Sequence, residues 1–282
     1  MQIVRTLAAL RAAREAMAGG ATGDMARGLA LVPTMGALHD GHLSLLTAAR
    51  AAGYAVAASI FVNPTQFGPQ EDFERYPRDE AADCAMLERA GCDLVWLPDT
   101  GIMYPPDGAT VIEVGGPALL WEGAARPGHF RGVATVVAKL FGQVRPDAAW
   151  FGEKDWQQVQ VIRRMTADLL LPVRVMAAPT WREGDGLAMS SRNRYLDERQ
   201  RAVAPLLFAV LGRIRDAIAA GDAVGAALAA GQEALRAAGF AVDYIALVDA
   251  VTLQPREAWQ APSRLIAAAR LGGTRLLDNI AV

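Results

Sequence analysis

Hydrophobic and polar positions along the first 180 residues fall into alternating helix-like and strand-like blocks. Residues 6–17 carry apolar side chains at helical spacing, which predicts an amphipathic helix. The LALV run at 29–32 predicts a buried strand, and a helix opened by HDGH then runs to about residue 52. YAVAASIFV, bounded by Gly53 and Asn63-Pro64, is the pattern of a strand covered on both faces. After a polar loop comes a helix to about residue 90, where Gly91 fits a C-terminal cap, and then the strand DLVWLP. Residues 99–131 are rich in Gly and Pro and predict loop, with one strand at 110–114. RGVATVVAKLFGQV predicts a helix, DAAWFGEKD a strand entering a loop, WQQVQVIRRMTADLLL a helix and VRVMAAPT a strand. Strands alternating with helices predict an α/β domain built on a parallel sheet.

The pattern changes after Pro179. The stretch TWREGDGLAMSSRNRYLDERQ is polar and punctuated by glycine. Two helical segments follow, at 197–220 and 222–238, and then three strands, DYIALVD, RLIAAAR and TRLLDNIAV. Helices followed by adjacent strands predict a second, smaller α+β domain, and the division is placed at residues 1–177 and 178–282.

Composition narrows the class. The 282 residues are 52% hydrophobic and 21% charged, as expected of a globular protein with a large core. A net charge of −2 leaves no footprint for nucleic acid or an anionic membrane. No apolar run approaches the roughly 20 residues of a membrane span, and the N-terminal pattern does not fit a signal peptide. Cys84 and Cys92 stand outside any metal or redox spacing and read as reduced packing residues of a cytoplasmic protein. Lysine occurs only at Lys139 and Lys154, while every other basic side chain except histidine is arginine. The two cations differ in phosphate chemistry, so each lysine is of interest.

In an open parallel sheet, ligands bind beyond the carboxyl ends of the strands. After the first predicted core strand come Pro33, Thr34, Met35, His39, Gly41 and His42. His39 and His42 are three apart, share a helix face, and stand at an N-terminus that favours anions such as phosphate. They also read as a helix cap or surface pair, or as half of a zinc site lacking its other ligands. After the next strand come Asn63, Pro64, Thr65 and Gln66. A later strand end supplies Gly152, Glu153, Lys154 and Asp155, with Gln157 and Gln158 opening the helix. The last supplies Met189, Ser190, Ser191 and Arg192. Neither a GxGxxG signature nor a P-loop is present.

HDGH resembles the HxGH signature of the nucleotidylyl transferase superfamily, which includes class I aminoacyl-tRNA synthetases, and MSSRN resembles its KMSKS-like motif. PTMGALHDGHLSL, FVNPTQF, RPGHFRGV, FGEKDWQQ and DGLAMSSRNRYL together resemble the pantothenate synthetase (pantoate–β-alanine ligase) family. These blocks span about residues 31–195, and TRLLDNI also fits. The resemblance implies a Rossmann-like ATP- and pantoate-binding domain and a C-terminal lid. It implies ATP-dependent condensation of pantoate with β-alanine through a pantoyl-adenylate, releasing AMP and pyrophosphate. Mg²⁺ on the β- and γ-phosphates, a cytoplasmic homodimer, and no protein-held metal site complete the expectation.

Adenylation needs positive charge on phosphates more than a covalent catalyst. His39, His42, Lys154 and Arg192 suit that need, with Ser190 and Ser191 as hydroxyl and amide donors. Pro33, Thr34, Met35, Gly41, Gly152 and Met189 join the nucleotide contacts, and Asp155 is read as a ribose ligand or a loop cap. By resemblance, Gln66 and Gln158 are the amide pair for pantoate, with Met35 and Phe61 as its apolar wall and Arg126 nearby. Plain alternatives stand beside these: Gln157 and Gln158 as solvated helix residues, Met35 as core, Arg126 in a turn. Tyr76 is a candidate for a cover over the intermediate, Lys139 is assigned to structure and His129 is left open. Trp181 and Gly184 depart from the family pattern, one adding bulk near the expected adenine, the other freedom to the hinge. A nucleotidylyltransferase that leaves AMP on its acceptor, and a silent nucleotide-binding protein, are the rival readings.

Overall fold

The computed structural model describes residues 1–19, 28–69 and 71–282. The first part runs β1 (Gln2–Val4), α1 (Leu7–Gly19), β2 (Leu29–Thr34), α2 (Asp40–Ala51), β3 (Ala55–Ile60), α3 (Glu80–Arg89) and β4 (Leu94–Trp96). Two short helices, α4 (Thr100–Met103) and α5 (Glu122–Ala125), precede α6 (His129–Val144), β5 (Ala148–Gly152), α7 (Trp156–Asp168) and β6 (Arg174–Ala178). The six strands form one parallel sheet in the order β1-β4-β3-β2-β5-β6. Apolar strands need covering on both faces. One face packs on α1, α6 and α7, burying Leu10, Leu31, Trp96 and Ile162; the other packs on α2 and α3, burying Leu46 and Leu87. Each such side chain contributes roughly 1.5–3 kcal/mol by leaving water.

The strand order reverses between β2 and β5, where α/β sheets place their ligand crevice. Their ladder has two pairs, Ala30 with Ala148 and Leu31 with Ala149, whereas β2 pairs with β3 along its whole length. Pro33 brings no N–H to a ladder. Beyond Leu31 the strands part, and their C-terminal loops flank a cleft.

The second part contains α8 (Glu198–Val203), α9 (Leu206–Ala219), α10 (Val224–Ala237), β7 (Phe240–Asp249), β8 (Ser263–Leu271) and β9 (Thr274–Ala281). The strands form an antiparallel sheet, β7-β8-β9, whose core includes Leu207, Leu211, Leu235 and Leu265. The parallel α/β sheet and the small α+β unit are thus both present.

Three element readings need correction. No strand forms at 110–114; the Ile112 N–H goes to Thr135 Oγ1 at 2.9 Å, so an α6 side chain takes the place of a ladder. The helix expected over 197–220 is two helices, because Pro205 cannot donate the amide that continuity requires and instead precedes α9. β1 was missed: three residues are too few to show a period.

Candidate active site

The HDGH turn is held from outside its own segment. Asp83 of α3, 3% exposed, accepts hydrogen bonds from the backbone N–H groups of Ala37 at 2.9 Å and Leu38 at 2.8 Å. Gly36 has φ +79°, and a Cβ there would meet Asp83 Oδ2 at 2.8 Å, so glycine is required both for the turn and for the carboxylate's approach. His39 precedes α2 in extended conformation, and its side chain makes no capping bond, which sets aside the cap reading. The rings of His39 and His42 are 4.1 Å apart at 37°. Their Nδ1 atoms are buried without a hydrogen-bond partner.

The charge expected of these imidazoles is corrected. Burial, with Lys154 and Arg194 nearby, lowers His39 to about 4. Burial and the neighbouring His39 lower His42 to about 3. At neutral pH both are uncharged hydrogen-bonding groups. The cations lining the crevice are therefore Lys154, Arg192, Arg126 and Arg275, the last of them held by Glu122 and Asp243. Lys154, on the 3-10 turn Glu153–Asp155, is 19% exposed at its side chain and has Asp155 Oδ1 at 3.3 Å. Burial works to raise the Asp155 carboxyl, but Lys154 outweighs it and holds the group below the usual carboxylate range. Arg192 is not free: Nε and Nη2 reach Asp72 at 3.0 and 2.8 Å in a bidentate pair.

The residues given a role in nucleotide or pantoate binding line one crevice, whereas Pro64, Thr65, Glu153 and Gln157, also at strand ends, are not part of its lining. Pro33, Thr34, Met35, His39, Gly41 and His42 come from β2 and α2, Phe61 and Gln66 from the end of β3, and Gly152, Lys154, Asp155 and Gln158 from β5 and α7. Met189, Ser190, Ser191 and Arg192 face them from the strap that follows β6, and Arg126 enters before α6. Gln66 is oriented at both ends: Asn63 Nδ2 donates to its Oε1 at 3.0 Å, and its own Nε2 lies 3.0 Å from Met35 Sδ. Asn63 also donates to the Gly132 carbonyl at 3.2 Å. A Cβ on Gly132 would fall 2.3 Å from Thr65 O, so only glycine lets α6 lie against the Gln66 turn. Trp181, 46% exposed, is also on the crevice wall.

Residues 71–78 run along the mouth. Glu71 binds Arg126 at 2.8 and 2.6 Å, Asp72 binds Arg192, and the buried Tyr76 hydroxyl is 3.2 Å from Ser191 Oγ. His129 lies beneath: Nδ1 is 2.9 Å from the Gln66 carbonyl and Nε2 is 3.1 Å from Arg126 Nη1. A carbonyl only accepts and a guanidinium only donates, so the proton is on Nδ1. Burial and Arg126 lower His129 to about 4.

The whole-chain comparisons agree with this geometry. The family model described as pantoate-beta-alanine ligase matches residues 2–281. The chain belongs to the pantoate–β-alanine ligase family. A pantothenate synthetase of Acidiphilium cryptum is 66% identical over 282 residues, the full length of both chains. The crystal structure of a pantothenate synthetase from Thermus thermophilus superposes with a TM-score of 0.91 at 51% identity over 99% of each chain. A pantoate-beta-alanine ligase from Francisella tularensis, complexed with beta-gamma ATP and β-alanine, gives 0.82 at 30% identity, covering 100% of this chain and 97% of that one.

Within this ligase fold, sequence reasoning missed the residues that hold others. Asp83, Glu71 and Asp72 sit in polar loops or on exposed-looking helix faces, where nothing distinguishes them from solvated residues; Asn63 was placed at the crevice by its strand-end position, but not its hold on Gln66. The wall formed by Val133, Val136, Val137 and Leu140 was legible only as an apolar helix face. Gln157, weighed as a solvated residue, is 7% exposed. Its amide binds the Pro117 and Leu120 carbonyls at 2.8 and 2.7 Å and accepts from the Glu122 N–H at 3.0 Å. Lys139 donates to the Met103 carbonyl and has its ammonium 4.5 Å from the Tyr104 ring centroid, a structural position.

Proposed function

We propose that this chain condenses (R)-pantoate with β-alanine at the expense of ATP, forming pantothenate, AMP and pyrophosphate by way of a pantoyl-adenylate. One observation carries the reading: in a chain of this ligase family, the HDGH helix start, Lys154 and the Ser190–Arg192 segment meet two glutamines, Gln66 and Gln158, in one crevice. ATP as co-substrate is supported by the Francisella ligase complexed with beta-gamma ATP and β-alanine. In the first step the pantoate carboxylate attacks the α-phosphorus and pyrophosphate leaves. In the second the β-alanine amine attacks the acyl carbonyl and AMP leaves.

In this account Lys154 neutralises charge developing on the phosphates, and the uncharged His39 and His42 hydrogen-bond to them. Ser190, Ser191 and Arg192 close on the nucleotide from the other side, with Pro33, Thr34, Met35, Gly41, Gly152 and Met189 along it and Asp155 toward the ribose. Pantoate combines two hydroxyls with a gem-dimethyl carbon. Gln66 and Gln158 serve the hydroxyls, Met35 and Phe61 the methyls, and Arg126 anchors the crossing loop through Glu71. Leaving an amide unpaired against an analogue without its hydroxyl costs about 1–3 kcal/mol, a source of selectivity.

Mg²⁺ is proposed to arrive on the β- and γ-phosphates, since the ion keeps most of its waters and needs only one or two carboxylates. We assign residues 1–177 to the ATP- and pantoate-binding unit and 178–282 to a lid, in a cytoplasmic homodimer as the family resemblance implies. Among the described residues, no helix is long and apolar enough to cross a membrane.

With α-labelled ATP, pantoate and β-alanine, label is expected in free AMP in equal amount to pantothenate. Label retained on an acceptor would favour a nucleotidylyltransferase instead.

A further inference from the structure

The TRLLDNI ending has no part in the chemistry described so far, yet two of its residues reach back to the crevice loops. Asn279 of β9 is 4% exposed, and its Nδ2 donates to the carbonyls of Glu153 and Lys154, each at 2.8 Å. Both neighbours are acceptors, so the amide nitrogen must be the atom that faces them. Those two carbonyls belong to the peptide planes on either side of the Lys154 Cα. A peptide unit is planar, so pinning both planes fixes φ and ψ of the residue between them, and with them the direction of its Cα–Cβ bond. The 3-10 turn carrying Lys154 has no side-chain cap of its own. Arg264 of β8 adds a second hold: it binds Glu153 Oε2 at 2.6 Å and lies 3.8 Å over the Trp156 ring.

The neighbouring Asp278, also 4% exposed, grips the facing strap. It binds Arg182 at 2.7 and 2.9 Å, and Arg182 pairs with Ala188 just before Met189–Arg192. One dipeptide on the small sheet thus touches both loops that flank the crevice.

We infer that Asn279 is a positioning residue for adenylation, aiming the Lys154 ammonium by fixing the two peptides beside it. The inference rests on the reading of Lys154 as a phosphate contact. Misplacing a reacting group by about 1 Å can cost up to a hundredfold, so losing the two bonds is expected to cost at least about tenfold.

The test is a double-mutant cycle read by pantoate-dependent ATP–pyrophosphate exchange in the full-length protein. Asn279→Ala is expected to slow exchange at least about tenfold when Lys154 is present, and less than about twofold in a Lys154→Ala background. The same loss in both backgrounds would mean general structural damage and would overturn the inference. So would normal exchange with only the β-alanine step impaired, which would make Asn279 a second-substrate contact. Should Asn279→Ala not fold, Asn279→Ser, too short to span both carbonyls, supports the same comparison. The Lys154→Ala single variant at wild-type rate would instead reject the underlying reading of Lys154.

Discussion

Lys154→Ala is expected to lower formation of the adenylate at least about a hundredfold while leaving the fold intact. The ammonium sits on a crevice wall with Asp155 Oδ1 at 3.3 Å, a pair whose loss costs little structurally. The Asn279 side-chain amide holds the turn by its backbone carbonyls, and truncating the Lys154 side chain does not touch those bonds. With His39 and His42 lowered to about 4 and 3, and Arg192 paired with Asp72, no imidazole is charged at neutral pH to replace the lost cation. Single-turnover pyrophosphate release, with a thermal melt of the same sample, separates chemistry from folding. Unchanged turnover would remove Lys154 from the mechanism.

The second large effect is on stability. Glu122, 6% exposed, receives Arg275 Nη1 at 2.6 Å and Nη2 at 2.5 Å, and the Tyr244 hydroxyl donates to it at 2.9 Å. These bonds join α5 to β9 and β7, across the two sheets' territories. Removing one partner of a buried pair strands the other's charge, at a cost of about 3–5 kcal/mol. Arg275 keeps Asp243 at 2.6 Å, which places Glu122→Ala at the lower end, about 3 kcal/mol. Urea unfolding measures it, and a loss below about 1 kcal/mol would show that Asp243 and solvent compensate.

Long periodic segments were legible because burial writes itself into spacing: the α6 and α7 faces and the Ala- and Val-rich strands follow from pattern alone. The site was legible where chemistry needs rare residues, as at His39, His42 and Lys154. What holds those residues was not. Asp83 reaches the HDGH turn from 45 and 46 positions away, and Asn279 reaches Lys154 across 125. Such pairings depend on how elements pack, which no local spacing records. Protonation was misjudged for the same reason, since desolvation of the imidazoles comes from neighbours brought in by the fold.

The account's central claim is that pantoate is activated by adenylation before β-alanine takes part. Exchange of labelled pyrophosphate into ATP, with pantoate and without β-alanine, tests it directly. The account predicts exchange that requires pantoate and proceeds without the amine; pantothenate formation with no such exchange would contradict it.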